Sequence, residues 1–265
     1  MPPVPGRLYL VPNALDFGVA VPAGAAAPSL EAAIPRAVIA QAAALGHWIA
    51  ENAKTTRAFL KRVDAVVPLA HALQSMSIVE LPRPPKGRAS DAVSAAALPM
   101  TALLAPALAG HDMGLISEAG LPGVADPGAA VVQAAHQAGL HVVALAGPSA
   151  LVLALAASGL QGQSFAFVGY LPVDSAARAQ RIRELESTSR RHDQTQLMIE
   201  TPYRNPALFS ALLEHLQTST RLSVSCGLTL AQGFSRTDTV AGWRSRPGSL
   251  PTDVPAVFSL QAARG

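Results

Sequence analysis

The residues best placed to do chemistry lie between Ser117 and Gly128, where the chain reads Ser-Glu-Ala-Gly-Leu-Pro-Gly-Val-Ala-Asp-Pro-Gly. Glycines at 120, 123 and 128 let backbone come close to a ligand, and Pro122 and Pro127 stiffen the segment. Glu118 follows an apolar run, Met113-Gly-Leu-Ile116, with only Ser117 between. A carboxylate there can hold a cation or accept a proton. Two more segments fit the same pattern of a strand ending in a turn: Pro12-Asn13 and Gly147-Pro148-Ser149. In α/β proteins such turns at the carboxyl ends of strands are where ligands bind. Asp126 and Ser149 also have a purely structural reading as helix caps, Asp126 ahead of a proline at the first helical position.

Several other chemistries are disfavoured. The glycine spacing is neither G-x-G-x-x-G nor G-x-x-x-x-G-K-[ST], which counts against nicotinamide and nucleoside-triphosphate sites. The seven histidines, at 47, 71, 111, 136, 141, 192 and 215, show no ligand spacing, so no metal is expected. Cys226 is the sole cysteine and has no partner motif; it reads as a small buried hydrophobe. No G-x-S-x-G elbow is present.

The elements that must position these residues follow a regular order. Arg7 to Pro12 reads as a buried strand, and Ser29 with Pro35 brackets a helical start ending near Gly46. His47 to Ala50, Met113 to Ile116 and His141 to Ala146 are further strands, with helices after residue 50, from Asp126 to Gly139, and from Ser149 to Gly159. Short loops between alternating strands and helices predict a mainly parallel α/β sheet. Beyond Gly162 the strand candidates crowd together: Ser164 to Val168, Gln196 to Glu200, Leu222 to Cys226, Thr237 to Val240 and Ala256 to Leu260. That predicts a second α/β lobe with antiparallel character, giving lobes 1–162 and 163–265. The apolar stretch from Val142 to Leu160 is long enough to suggest a membrane span, but Gly147-Pro148-Ser149 interrupts it, so strand, turn and buried helix is the better reading.

Bulk properties agree with an enzyme-sized globular chain. It has 265 residues, 50% hydrophobic and 14% charged, with a formal net charge of +3. The mild basicity permits an anionic partner such as RNA without requiring one. One cysteine and no visible secretory leader are consistent with a reducing cytoplasm.

The stretch Gly114-Leu-Ile-Ser-Glu-Ala-Gly-Leu-Pro-Gly-Val-Ala-Asp-Pro-Gly128 resembles the S-D-A-G-x-P-x-x-x-D-P-G motif of the tetrapyrrole (corrin and porphyrin) methylase superfamily, in the branch of ribosomal RNA small-subunit methyltransferase I proteins. Other segments follow in that family's order. Leu145-Ala-Gly-Pro-Ser-Ala150 is similar to P-G-P-x-A, and Ser164-Phe-Ala-Phe-Val-Gly-Tyr-Leu-Pro172 to F-x-F-x-G-F-L-P. Ile199-Glu-Thr-Pro-Tyr-Arg204 is similar to Y-E-S-x-H-R, and Ile49-Ala-Glu-Asn-Ala-Lys54 to A-E-D-T-R. There are departures. Asn13-Ala-Leu-Asp-Phe-Gly18 replaces a Gly-Asn-Leu-Gly-Asp loop, Asn52 and Lys54 replace an acid and an arginine, Leu81-Pro-Arg-Pro-Pro-Lys86 stands where H-E-H-N is usual, and Cys226-Gly-Leu-Thr229 where R-E-L-T is. The chain looks more like a shorter sister group with Ser-Glu-Ala-Gly and Glu-Thr-Pro-Tyr-Arg-Asn motifs.

The resemblance implies a two-lobed fold with S-adenosylmethionine in the cleft between the lobes. It implies cofactor contacts at Pro12, Ser117, Gly120, Pro122, Ser149, Ala150, Thr201, Pro202 and Leu228. For the acceptor it offers Glu118 first and Glu200 second as the acidic group, with Arg57, Lys86, Arg88 and Arg204 for a phosphate or carboxylate. The RNA branch methylates a ribose 2′-oxygen, so ribosomal RNA or the small ribosomal subunit is the expected partner, and relatives imply a homodimer. A tetrapyrrole precursor or other small acid stays open as acceptor, as does a non-catalytic cofactor-binding or assembly role.

Overall fold

The computed structural model describes residues 4–16, 28–82 and 100–263. The chain divides into two compact units, the first ending at Pro148 and the second beginning at Ser149.

In the first unit, β1 (Arg7–Leu10) leads to a 3-10 turn at Leu30–Ala32 and α1 (Arg36–Ala43). Then come β2 (His47–Ala50), α2 (Ala53–Asp64), β3 (Ser77–Glu80), α3 (Met100–Leu103), α4 (Ala105–Leu108), β4 (Met113–Ile116), α5 (Ala129–Gln137) and β5 (His141–Ala144). The sheet order is β3-β2-β4-β1-β5, every pair parallel. Its strands are apolar at successive positions because both faces are covered. Tyr9, Val11 and Trp48 face one core with Ile39, Phe59 and Leu60 of α1 and α2. Leu8, Ile49 and Leu115 face another with Leu104 and the α5 residues Val131 and Ala135. The topology has one further consequence. The connection after β1 covers one face and runs toward β2; the connection after β4 covers the other face and runs toward β5. Neighbouring strands whose connections diverge in this way open a crevice at their carboxyl ends.

The second unit starts with α6 (Ala150–Ser158), followed by β6 (Phe165–Phe167), α7 (Ser175–His192), β7 (Thr195–Glu200), a 3-10 turn at Pro202–Arg204, α8 (Asn205–His215), β8 (Arg221–Cys226), β9 (Phe234–Thr239), α9 (Val240–Ser245) and β10 (Ala256–Gln261). Its sheet order is β6-β7-β10-β8-β9; only β6 with β7 is parallel. Met198, Val224 and Phe258 pack beneath α7, α8 and α9. Leu197 and Val257, on the opposite face, pack against Leu151, Ala154 and Leu155 of α6.

The mixed second sheet is as expected; the division is not. Helix α6 buries its residues on the second sheet, so the second unit starts ahead of the expected boundary at 162/163. The Val142 to Leu160 stretch resolves into β5, a turn and the nine-residue α6. Among the described residues no helix is long and apolar enough to cross a membrane.

Candidate functional site

The turns after β1, β2, β4 and β5 meet at the carboxyl end of the parallel sheet. Backbone holds two of them together. Asn13 and Gly120 form an isolated antiparallel bridge, with Asn13 N donating to Gly120 O at 2.9 Å and Gly120 N to Asn13 O at 3.1 Å. The buried Asn13 side chain reinforces it: Nδ2 donates to Ser117 O at 3.3 Å and Glu118 O at 3.0 Å, while Oδ1 accepts from Ala14 N at 2.9 Å. The turns that the topology splays apart are thus tied across the crevice.

Two glycines make this closeness possible. Gly120 has φ +68°, and a Cβ there would stand 3.2 Å from Leu15 Cδ2 and 3.5 Å from Pro148 O. At Gly147 a Cβ would fall 2.2 Å from Pro12 Cβ, so the β5 turn lies directly on the β1 turn. Pro12 and Pro122 are buried supports. Ser117 is 4% exposed, and its Oγ has no hydrogen-bond partner among the described residues. A buried hydroxyl without a partner is costly unless something supplies one. A ligand seated in the turn is one such partner, so Ser117, Gly120 and Gly147 fit the methyl donor implied by the resemblance.

Carboxylates gather beside this turn. Glu118 N donates to Glu51 Oε2 at 3.0 Å, and Thr55 Oγ1 lies 3.5 Å from Glu118 Oε1. Burial, then Glu51, then Glu118 push the Asp126 carboxyl up to about 6. Asp126 is therefore not the cap expected of it. Helix α5 begins at Ala129, its N-cap position is Gly128, and no side chain caps it. Ser149 does occupy the N-cap position of α6, but its side chain makes no capping bond. Asn52, a departure from the family pattern, caps α2 by accepting from Lys54 N at 2.9 Å and Thr55 N at 3.4 Å.

The residues expected from the second unit sit at a different kind of site. Ala150 and Leu228 pack beside Leu151, Leu197 and Val257. Glu200 is 2% exposed; its Oε1 accepts from Thr201 N at 2.8 Å and Thr201 Oγ1 at 3.2 Å, and its Oε2 lies 2.9 Å from Arg204. That last contact is an ion pair with angles outside hydrogen-bond alignment. Both oxygens of Glu200 are thus committed to fixing the Thr201–Arg204 turn, which corrects the expectation of an acid facing the acceptor. Arg57 is exposed on α2 and donates to Ala53 O at 3.4 Å, an ordinary solvated position. Lys86 and Arg88 lie outside the described residues. Asn13 and Asp126 fall inside turns that the sequence already marks for ligands, but neither is picked out there as a site residue, and Glu51 is quoted only within the Ile49–Lys54 resemblance. The signals are the glycine-punctuated block for Asp126 and the strand-ending Pro12-Asn13 turn for Asn13.

No family model matches the chain. Its sequence is similar to the ribosomal RNA small subunit methyltransferase I of Vibrio cholerae serotype O1, 43% identical over 97 residues, covering 37% of this chain and 32% of that protein. The protein of the same name from Mesorhizobium japonicum is 36% identical over 138 residues, 52% of this chain and 46% of that protein. The match thus spans 32% to 46% of these relatives' length. The solved structure of the methyltransferase CobJ superposes with a TM-score of 0.50 at 14% identity, covering 97% of this chain and 95% of that one. That likeness shows a shared fold: the expected α/β architecture, with a parallel and a mixed sheet, is one a methyltransferase uses. The resemblance to the ribosomal RNA methyltransferase I branch is borne out.

Proposed function

We propose that this chain transfers a methyl group from S-adenosylmethionine to small-subunit ribosomal RNA, at a ribose 2′-hydroxyl. The observation that carries the reading is the β4 turn, tied to the β1 turn at Asn13 and Gly120, with Ser117 Oγ buried within it and unpartnered among the described residues. When bound, S-adenosylmethionine would supply an electrophilic methyl on a sulfonium. Pro12, Ser117, Gly120 and Pro122 of the first unit would hold it. Backbone and small side chains dominate this set, which suits a reaction governed by alignment of acceptor, methyl and sulfur.

The carboxylates supply the other requirement. A ribose hydroxyl loses its proton as it attacks, so a base within reach is needed. In this reading Glu118 takes that proton. Asp126, with its carboxyl raised to about 6, takes up a proton more readily than an ordinary carboxylate as pH falls toward 6, which relieves repulsion among the three acids. Glu200 is assigned to positioning through Thr201 and Arg204. Arg57, Lys86, Arg88 and Arg204 would serve the phosphates of RNA and the carboxylates of a tetrapyrrole alike, so the choice of RNA rests on the similarity to the ribosomal RNA methyltransferases. A homodimer working in the cytoplasm completes the proposal.

Titration calorimetry with S-adenosylmethionine is the first test, and absence of binding sinks the reading. Methyl-labelled donor is then offered to undermethylated small ribosomal subunits. The expected product is label in RNA at alkali-resistant dinucleotides, as 2′-O-methylation requires. Label reaching only a tetrapyrrole panel would replace the acceptor. Tight donor binding with no turnover on either would favour a non-catalytic role.

A further inference from the structure

Tyrosine is scarce in this chain, three residues in all. Tyr9 is 4% exposed, in the first core; Tyr170 and Tyr203 are 56% and 75% exposed. Both leave the second sheet at the same end of two neighbouring strands. Strands β6 and β7 run parallel with Phe167 opposite Leu197, and Ile199 N donates to Gly169 O at 3.2 Å. Tyr170 is the next residue beyond that bond, and Tyr203 sits on the turn that continues β7.

Each tyrosine is held out by a fixed frame. For Tyr203 the frame is the Thr201–Arg204 turn, braced by Glu200 through Thr201 and Arg204. Tyr170 is followed by Leu171, 3% exposed and part of the second core. An exposed aromatic on a braced turn loses little freedom on binding. The charge nearby is cationic. Arg178 Nη1 donates to Val173 O at 3.1 Å, at the base of the Tyr170 loop, and its Nε is buried without a partner among the described residues. The loop's carboxylate, Asp174, is occupied in capping α7 by accepting from Ala177 N at 2.8 Å. More widely, residues 149–265 hold eleven arginines and no lysine against eight carboxylates, whereas residues 1–148 are balanced at nine and nine. The net positive charge of the chain therefore belongs to the unit that bears these tyrosines. Arginine both forks to phosphate and stacks on bases.

We propose that Tyr170 and Tyr203 form a stacking platform for unpaired bases of single-stranded RNA, with Arg178 meeting the backbone phosphate. Sequence-specific RNA binding generally uses unstacked bases laid on aromatic rings, because the grooves of an RNA duplex hide its base edges. The inference rests on the methyltransferase reading for its biological substrate, but its binding test stands apart from that reading.

The test measures fluorescence anisotropy of a labelled single-stranded RNA twelve-mer with the full chain. Salt is held fixed, since phosphate contacts are salt-dependent. Tyr170→Ala and Tyr203→Ala are each expected to weaken binding about tenfold, and the double variant about a hundredfold. Tyr170→Phe and Tyr203→Phe should stay within about twofold of wild type, because the ring and not the hydroxyl stacks. A duplex of the same sequence should bind more weakly than the single strand. Unchanged affinity in the double alanine variant, with its thermal melt intact, overturns the proposal. So does equal affinity for duplex. A double variant that turns a dimer into a monomer in sedimentation velocity also overturns it, and assigns the surface to a second copy of the chain. Loss of S-adenosylmethionine binding in the wild type with tyrosine-dependent RNA binding retained would sink the methyltransferase reading and leave this one standing.

Discussion

The first unit and the second both present turns at the carboxyl ends of parallel strands, and they build those turns from different materials. In the first unit backbone is brought close by Gly120 and Gly147, a hydroxyl is buried without a partner among the described residues, and three carboxylates crowd nearby. In the second unit the turn after β7 is fixed by side chains, a buried Glu200 paired with the partly exposed Arg204, and it displays a tyrosine. The first arrangement suits a small ligand enclosed at short range. The second suits a larger partner met at the surface. The same topological position therefore serves two kinds of recognition, and the local residues decide which.

The sharpest way to break this contrast is to fill the first turn. Gly120→Val forces a β-branched side chain into the left-handed region and against Leu15. Calorimetry should show S-adenosylmethionine binding weakened about a thousandfold, near 4 kcal/mol, while RNA affinity stays within twofold. Equal loss of both would mean that the two sites are not separate in kind. On the other side, Arg204→Ala strips the buried Glu200 of its cation, at a cost of about 3 kcal/mol in unfolding free energy by denaturant melts. A cost under 1 kcal/mol would show the turn to be held by something other than that pair.

Two smaller effects refine the first site. Ser117→Ala removes a buried hydroxyl that has no partner among the described residues. Donor affinity should fall about tenfold, with the stability of the free protein unchanged or slightly raised. Reduced stability and unchanged affinity would show that the hydroxyl serves the fold. Asp126→Asn tests the carboxylate crowding. Because the folded carboxyl titrates near 6, above its ordinary value, the folded state binds more protons than the unfolded state between about pH 4 and 6. Stability should therefore decline as pH rises through that window in the wild type, and the asparagine variant should lose that decline. Since Asp126 is only partly buried, the gain in Tm at pH 7 should be about 1–3 °C. A lower Tm at pH 7 would instead make the charge stabilising.

Much of the scaffold could be read from the residues, and the exceptions have physical causes. Strands β2 and β4 stand where their apolar runs predict, because strands buried on both faces are continuously apolar. Strand β3 was not foreseen: Ser77-Ile-Val-Glu80 holds two apolar residues at a sheet edge, too few to establish a period. Helix α6 is apolar on every side, so its sequence could not say which sheet it covers. The ligand turn was legible as glycine and proline punctuation. What surrounds it was not, because Asn13, Glu51 and Asp126 come together only through strand order, and spacing along the chain carries no trace of that. Glu200 shows the converse. As an acid at a strand end it looked available for chemistry, and only the ion pair with Arg204 reveals its use.

The Asn13–Gly120 bridge also sets a clock. Two reciprocal backbone bonds and the Asn13 amide bonds must break together before the β1 and β4 turns can part. Opening by that route is a cooperative local unfolding event, slower than the nanosecond motion of an ordinary surface loop. The Asn13 and Gly120 amides should exchange with deuterium as one pair and lag behind the amides of solvent-facing turns. Their shared rate would time each excursion of the ligand turn, without any label placed in it.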